Sequence, residues 1–304
     1  MSKTVFMFPG QGAQYIGMGK DFYEAYPVSR KVYELAAKAT GLDVAKLCFE
    51  ENENINITEY TQIAMLTTEA AIYAALQEAG VEAQATAGLS LGEYGALIAS
   101  KTMSMEDAFT VVRARGQFMQ QAVPTGGAMS AVLGLAKEEI EKICEQTQGI
   151  VSIANYNCPG QIVISGEQDA VELAGTACKE AGAKRVVPLK VSGPFHSKML
   201  EGAGTELGKV LEKIEILKPK IPYVANVTAD YVTTSEAVKG LLVQQVSSSV
   251  RWQQSIERLL ADGYDEFVEI GPGHTLAGFM RKINRDVKVV SIEKLEDYKA
   301  YVGE

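Results

Sequence analysis

Gly88-Leu89-Ser90-Leu91-Gly92 reads G-x-S-x-G, between a strand-like stretch, Ala83 to Gly88, and a helix-like one, Glu93 to Ser100. Strand, serine and helix in this order are what a nucleophile elbow requires: a serine on a sharp turn, flanked by residues small enough for the turn to close. Such a turn exposes the hydroxyl. It also aims N–H groups of the following helix at any oxyanion formed beside it. The same five residues fit a plain βα turn whose serine only caps the helix, so the chemistry must be argued from what accompanies them.

Upstream, Thr4 to Phe8 is an apolar strand bounded by Pro9-Gly10. The loop Gly10-Gln11-Gly12-Ala13-Gln14 follows. It has neither G-K-[ST] nor G-x-G-x-x-G and is a poor phosphate loop, but its glutamines offer amide donors. Tyr23 to Ala39 and Thr58 to Ala79 are helical patterns, the second with one apolar face through Ile63, Leu66, Ala70 and Tyr73. Ser104 to Gln121 is a helix opened by a Ser104–Asp107 capping box.

The pattern changes at Pro124-Thr125-Gly126-Gly127. Strands at Ala128–Leu135, Ile150–Asn155, Gln161–Ser165 and Lys184–Val191 interleave with helices at Lys137–Gln148 and Gln168–Ala181. That is β-α-β-β-α-β, a ferredoxin-like unit. Beyond it the strand–helix alternation resumes, with a strand at Ile221–Val227. The expectation is therefore a large unit, 1–125 and 192–304, with a small unit, 126–191, inserted into it. Short apolar strands alternating with helices predict a mostly parallel sheet covered on both faces.

The 304 residues are 47% hydrophobic and 22% charged, an ordinary globular composition. A net charge of −9 argues against nucleic-acid binding through overall charge. Cys48, Cys144, Cys158 and Cys178 show no C-x-x-C spacing, so neither a zinc site nor a disulfide framework is expected, and a reducing cytoplasm fits. The apolar run Val5-Phe6-Met7-Phe8 is too short for a signal peptide or a membrane span.

A serine nucleophile needs a base, and the sequence contains two histidines. His274, with Asp265, Glu266 or Glu269 as the acid, would give the serine–acid–histidine order of a hydrolase or thioesterase. His196 lies on the loop leaving the inserted unit, where a cleft between units would form. From the residues alone both stand.

Six motifs then fall in order: FPGQGAQ at Phe8–Gln14, GLSLGEY at Gly88–Tyr94, RGQFMQ at Arg115–Gln120, NYNCPGQIVISG at Asn155–Gly166, GPFHS at Gly193–Ser197 and EIGPG at Glu269–Gly273. Together they closely resemble the malonyl-CoA–acyl carrier protein transacylases, the acyltransferase family that loads bacterial fatty acid synthesis. The resemblance spans nearly the whole chain. It implies an α/β-hydrolase-like core with a ferredoxin-like insertion. It implies a ping-pong transfer of malonyl from malonyl-CoA to the phosphopantetheine thiol of acyl carrier protein, with no cofactor of the enzyme's own. Ser90 matches the family nucleophile and His196 its base. Gln245, in QQVSSSVRW, matches the residue whose backbone carbonyl orients the histidine. Gln11 and the Leu91 N–H match the oxyanion hole, and Arg115 the partner of the malonyl carboxylate.

Met119, Phe195 and, in the small unit, Asn155 match residues lining the acyl pocket. Phe195 would disfavour branched acyl groups. Arg113, two residues from Arg115, points to another helix face and is expected to be a solvated helix residue. The partners implied are malonyl-CoA and an acidic carrier protein, with neither nucleic acid nor membrane. Lys184, Arg185, Lys190 and Lys198, or Arg281, Lys282 and Arg285, are the candidate basic patches. This chain departs from many relatives at Leu89, where they carry His, and at Ser248-Ser249, where they often read Asn-Pro.

Overall fold

The computed structural model describes residues 2–191 and 193–304. Ser192, where the sequence reading returns to the large unit, lies outside the described residues. β1 (Thr4–Phe8) leads into the glycine-rich loop. Then come α1 (Lys20–Ala25), α2 (Pro27–Thr40), α3 (Val44–Phe49), α4 (Thr58–Glu78), β2 (Ala85–Gly88), α5 (Gly92–Ala99) and α6 (Met105–Ala122). The middle of the chain forms β3 (Gly127–Leu133), α7 (Lys137–Gln146), β4 (Val151–Cys158), β5 (Gln161–Glu167), α8 (Gln168–Glu180) and β6 (Arg185–Pro188). The remainder is α9 (Glu201–Leu211), β7 (Tyr223–Val224), β8 (Tyr231–Val232), α10 (Ser235–Gln245), α11 (Trp252–Ala261), β9 (Glu266–Ile270), α12 (Thr275–Ile283), β10 (Lys288–Ile292) and α13 (Leu295–Val302).

The larger sheet has the order β10-β9-β1-β2-β7-β8. All its pairings are parallel except that of β7 with β8. β1 shows why it is covered on both faces. Phe6 and Phe8 enter the core shared with α4, α5 and α6, while Val5 and Met7 enter a second core with Trp252, Ile256 and Leu276 of α11 and α12. Side chains alternate across a strand, so a run apolar at every position must be covered twice.

The second sheet, order β4-β5-β3-β6, is antiparallel. One face packs on α7 and α8 through Val132, Ile153, Ile164, Ile140 and Val171. The other face, with Met129, Ala131, Ala154 and Val163, joins the main core and so closes over the C-terminal ends of β1 and β2.

Three expectations are corrected. Tyr23–Ala39 is not one helix: Tyr26 is extended (φ −119°, ψ 120°) and Pro27 starts α2, because proline disfavours a helical conformation in the residue before it. α4 is not one-faced. Every residue from Thr61 to Leu76 is buried, since α2, α5 and α6 surround it. The core is not α/β-hydrolase-like where it matters for chemistry. In a hydrolase the histidine closes the serine–acid–histidine order; here the histidine facing the serine leaves the small sheet, ahead of the residue that orients it.

Candidate active site

The turn after β2 is built by close approach. A Cβ on Gly88 would lie 1.9 Å from the Gly92 carbonyl oxygen, and one on Gly92 would lie 2.0 Å from that of Phe8. Both positions therefore need glycine, which explains the small residues of the motif. The Leu89 N–H donates to Phe8 O at 3.0 Å and hooks the turn onto β1. Ser90 is left-handed, φ 55°, a conformation costing a non-glycine residue on the order of 1–2 kcal/mol. Asn226, just beyond β7, holds it there. Its Oδ1 accepts the Ser90 N–H at 2.6 Å and its Nδ2 donates to Gly88 O at 2.6 Å.

His196 is also left-handed, φ 59°, and is buried. Its Nε2 lies 2.7 Å from Ser90 Oγ and its Nδ1 lies 2.8 Å from the backbone oxygen of Gln245, at the end of α10. A carbonyl can only accept, so the proton belongs on Nδ1 and Nε2 accepts the serine proton. Burial, aided by the Arg115 cation, lowers the His196 pKa to about 4. The ring is neutral at physiological pH, as a base must be.

Arg115, on α6, is 1% exposed. Its Nη1 donates to Gln62 Oε1 at 2.7 Å; its Nη2 donates to Gln245 Oε1 at 3.0 Å and Ser90 Oγ at 3.2 Å. The guanidinium lies over the Tyr94 ring, 5.8 Å from its centroid. None of these neighbours is a carboxylate in direct contact, so the cation is buried without an ion pair. That is expensive unless a ligand supplies the anion.

Ser90, His196 and Arg115 open onto a cleft of about 270 Å³. Gln11, Leu91, Met119, Asn155 and Phe195 also line it, so all the site residues singled out in the sequence converge except Gln245, which lies behind His196. Gln11 reaches Thr58 through its Nε2, at 3.3 Å. The Leu91 N–H, just before α5, makes no hydrogen bond among the described residues. Asn155 sits at an irregularity of β4 and bridges to Val250. Arg113 pairs with Glu59 at 3.0 Å, away from the cleft.

The other histidine does not take part. His274 is 58% exposed and faces Glu293 at 3.2 Å. Its candidate acids are engaged elsewhere: Asp265 with Ser2 and the Lys3 N–H, Glu266 with Lys288, and Glu269 with the first N–H groups of α12. The sequence reading missed Gln62, Glu93, Asn157 and Asn226. Gln62 and Glu93 carried a signal, a polar side chain inside an apolar helical run, and Asn157, which lines the cleft, lies within the Asn155–Gly166 motif; Asn226 carried none.

An acyl transferase domain family matches residues 5–295. The malonyl CoA-acyl carrier protein transacylase of Bacillus subtilis is 43% identical over 301 residues, 97% of this chain and 95% of that one. The chain belongs to the malonyl-CoA–acyl carrier protein transacylase family. The crystal structure of the Clostridium perfringens transacylase superposes with a TM-score of 0.96 at 43% identity, covering 99% of this chain and 96% of that one. A type II PKS acyl-carrier protein in complex with its malonyl-transacylase contains a chain with a TM-score of 0.96 at 38% identity, each covered completely. These neighbours are transacylases, not hydrolases, in line with the corrected fold class, and His196 faces the Gln245 carbonyl where a hydrolase histidine would face an acid.

Proposed function

We infer that the protein transfers the malonyl group of malonyl-CoA to the thiol of acyl carrier protein through an ester on Ser90, supplying malonyl units to fatty acid synthesis. One observation carries this reading: a buried arginine without an ion pair, 3.2 Å from the serine oxygen. An acyl group on Ser90 that ends in a carboxylate brings the missing anion to that guanidinium, through two parallel charge-assisted hydrogen bonds. An acetyl group brings a methyl and leaves the cation unpaired.

His196 Nε2 takes the Ser90 proton as Oγ attacks the thioester carbonyl. The oxyanion rests on the Leu91 N–H and on Gln11, a stabilisation worth on the order of 100- to 1,000-fold in turnover per donor. The tetrahedral intermediate collapses, the C–S bond breaks, and His196 returns the proton to the CoA sulfur. The carrier's phosphopantetheine thiol then enters, gives its proton to His196 and reverses the steps. Protein side chains, two backbone groups and two thiols carry this sequence. The small unit, 126–191, closes the cleft over the large one, 1–125 and 192–304, and keeps water from the ester.

The acidic carrier docks on exposed lysines and arginines beside the cleft. Arg281 and Lys282 are exposed in the last turn of α12, whose Thr275, Leu276 and Phe279 line it; Lys184, Arg185, Lys190 and Lys198 are also exposed. Neither nucleic acid nor membrane has a part in this scheme, and among the described residues no helix is long and apolar enough to cross a membrane. A cytoplasmic location belongs to the same reading, in keeping with four free, buried cysteines.

Intact mass after mixing with malonyl-CoA, beside acetyl-CoA, tests the proposal. The expected result is a malonyl adduct, absent in Ser90→Ala and discharged by carrier protein. Release of malonate and CoA with no adduct and no need for carrier would overturn it.

A further inference from the structure

Glu93 is a buried carboxyl next to the nucleophile that the transfer scheme leaves without a task. It lies in the first turn of α5, three residues after Ser90, and is 1% exposed. Its Oε2 accepts from Gln245 Nε2 at 2.7 Å and from the Asn226 N–H at 3.2 Å. Its Oε1 makes no hydrogen bond among the described residues.

The two donors are not arbitrary. Gln245 gives the backbone oxygen that orients His196, and its Nε2 also reaches Ser90 O at 2.8 Å. Asn226 is the side chain that clamps Ser90 N and Gly88 O. One carboxyl oxygen thus ties the orienting residue of the base to the clamp of the nucleophile. We propose that Glu93 is a positioning residue of the transfer reaction, fixing the Ser90–His196 pair by holding Gln245 and Asn226 at once, and that its ionised form is the one that holds them.

A carboxylate accepts both bonds more strongly than a neutral acid does. Burial pushes Glu93 up to about 7, against the pull of Gln245, Asn226 and the Arg115 cation. The charged and titratable groups facing it do not share that range. They are Arg115 on α6, Tyr94 on its own helix and Tyr223 on β7. Burial raises both tyrosines, and His196, which Gln245 holds, is lowered to about 4.

The inference rests on the transfer reading, and its test keeps the two apart. The acylation rate of wild-type protein by malonyl-CoA, followed by rapid quench and intact mass, should fall about tenfold through an inflection near pH 7, the scale of losing charge assistance from a buried hydrogen bond. Glu93→Gln keeps an oxygen for both donors and cannot ionise. Its rate should stay about tenfold below the wild-type plateau and be flat from pH 5.5 to 8.5. Gln245→Met keeps the backbone carbonyl but loses the link; it should lose the inflection too, and combining the two substitutions should cost no more than the slower one alone. His274→Gln, at an exposed residue, should keep the inflection.

A wild-type profile flat across that range, or an inflection surviving in Glu93→Gln, would overturn the inference. Should Glu93→Gln fail to fold, the wild-type and Gln245→Met profiles decide alone. Absence of any Ser90 adduct in wild-type protein would instead defeat the transfer reading.

Discussion

At the scale of the residue, the site consists of polar groups buried beyond what hydrogen bonding alone makes comfortable. Arg115 illustrates this for specificity. Its neighbours are amides, a hydroxyl and a ring, and on the proposed reading the substrate carboxylate is its counter-ion. Arg115→Ala should lower malonyl acylation of Ser90 by on the order of 100-fold or more and bring acetyl and malonyl rates close together, read as adduct formed from each thioester. Equal loss for both thioesters would make Arg115 structural instead.

Glu93 illustrates it for stability. Its folded pKa, about 7, lies above the ordinary glutamate value of 4.5, so the folded state binds the extra proton between those values and loses stability as pH rises through them. His196 has the opposite sign. Its folded value of about 4 lies below 6.5, so its share is present above pH 6.5 and is lost as pH falls toward 4. The two nearly cancel. Glu93→Gln removes one side of the balance, so denaturant melts should show its stability relative to wild type rising by roughly 3 kcal/mol from pH 4.5 to pH 8. The same substitution is expected to slow acylation, a trade of activity for stability.

At the scale of the element, the nucleophile turn works because β1, β2 and α5 meet backbone to backbone. A Cβ on Gly92 would be 2.0 Å from Phe8 O, and no side-chain rotation can relieve a clash between main-chain atoms. Gly92→Ala should therefore push α5 away from β1, cost on the order of 3 kcal/mol and abolish the Ser90 adduct. Intact mass reads the adduct and a thermal melt the stability. This element was legible in the sequence because G-x-S-x-G states its own steric requirement, and the small sheet was legible because its strand and helix lengths alternate cleanly. Less was legible where tertiary packing overrides local pattern. α4 looked one-faced and is buried all round. The clamp of Ser90 comes from Asn226, 136 residues away, and no local pattern announces a contact of that range. His196 could not be separated from His274 by residue type, because the distinction is the carbonyl of Gln245, a group every residue carries.

At the scale of the whole molecule, Ser90 follows β2 of the larger sheet and His196 comes after β6 of the smaller one, and a seam of backbone bonds joins the smaller sheet to the chain around the site. β4 of the small sheet is stitched to the chain beyond α10. The Val250 N–H donates to Ala154 O at 2.8 Å, the Tyr156 N–H donates to Val250 O at 2.9 Å, and Ser249 Oγ donates to Ile153 O at 2.5 Å. The next N–H, that of Arg251, donates to Asn226 O at 3.0 Å. The seam therefore runs from the small sheet, whose Met129, Asn155 and Val163 line the cleft, to the residue that clamps Ser90. Val250→Pro removes one N–H and leaves Ala154 O unpaired, a loss of about 1–3 kcal/mol. Because on the proposed reading the small sheet closes the cleft, the loss should appear in water exclusion as well as in stability. Malonyl-enzyme isolated without carrier should hydrolyse several-fold faster in Val250→Pro than in wild type, while transfer to added carrier slows. The decay of the adduct mass with time measures the first, and carrier acylation the second. Unchanged adduct lifetime in a variant with a lowered melting temperature would mean that the seam only holds the sheets together. Faster hydrolysis would mean that the same few backbone bonds keep a serine acyltransferase from acting as a hydrolase.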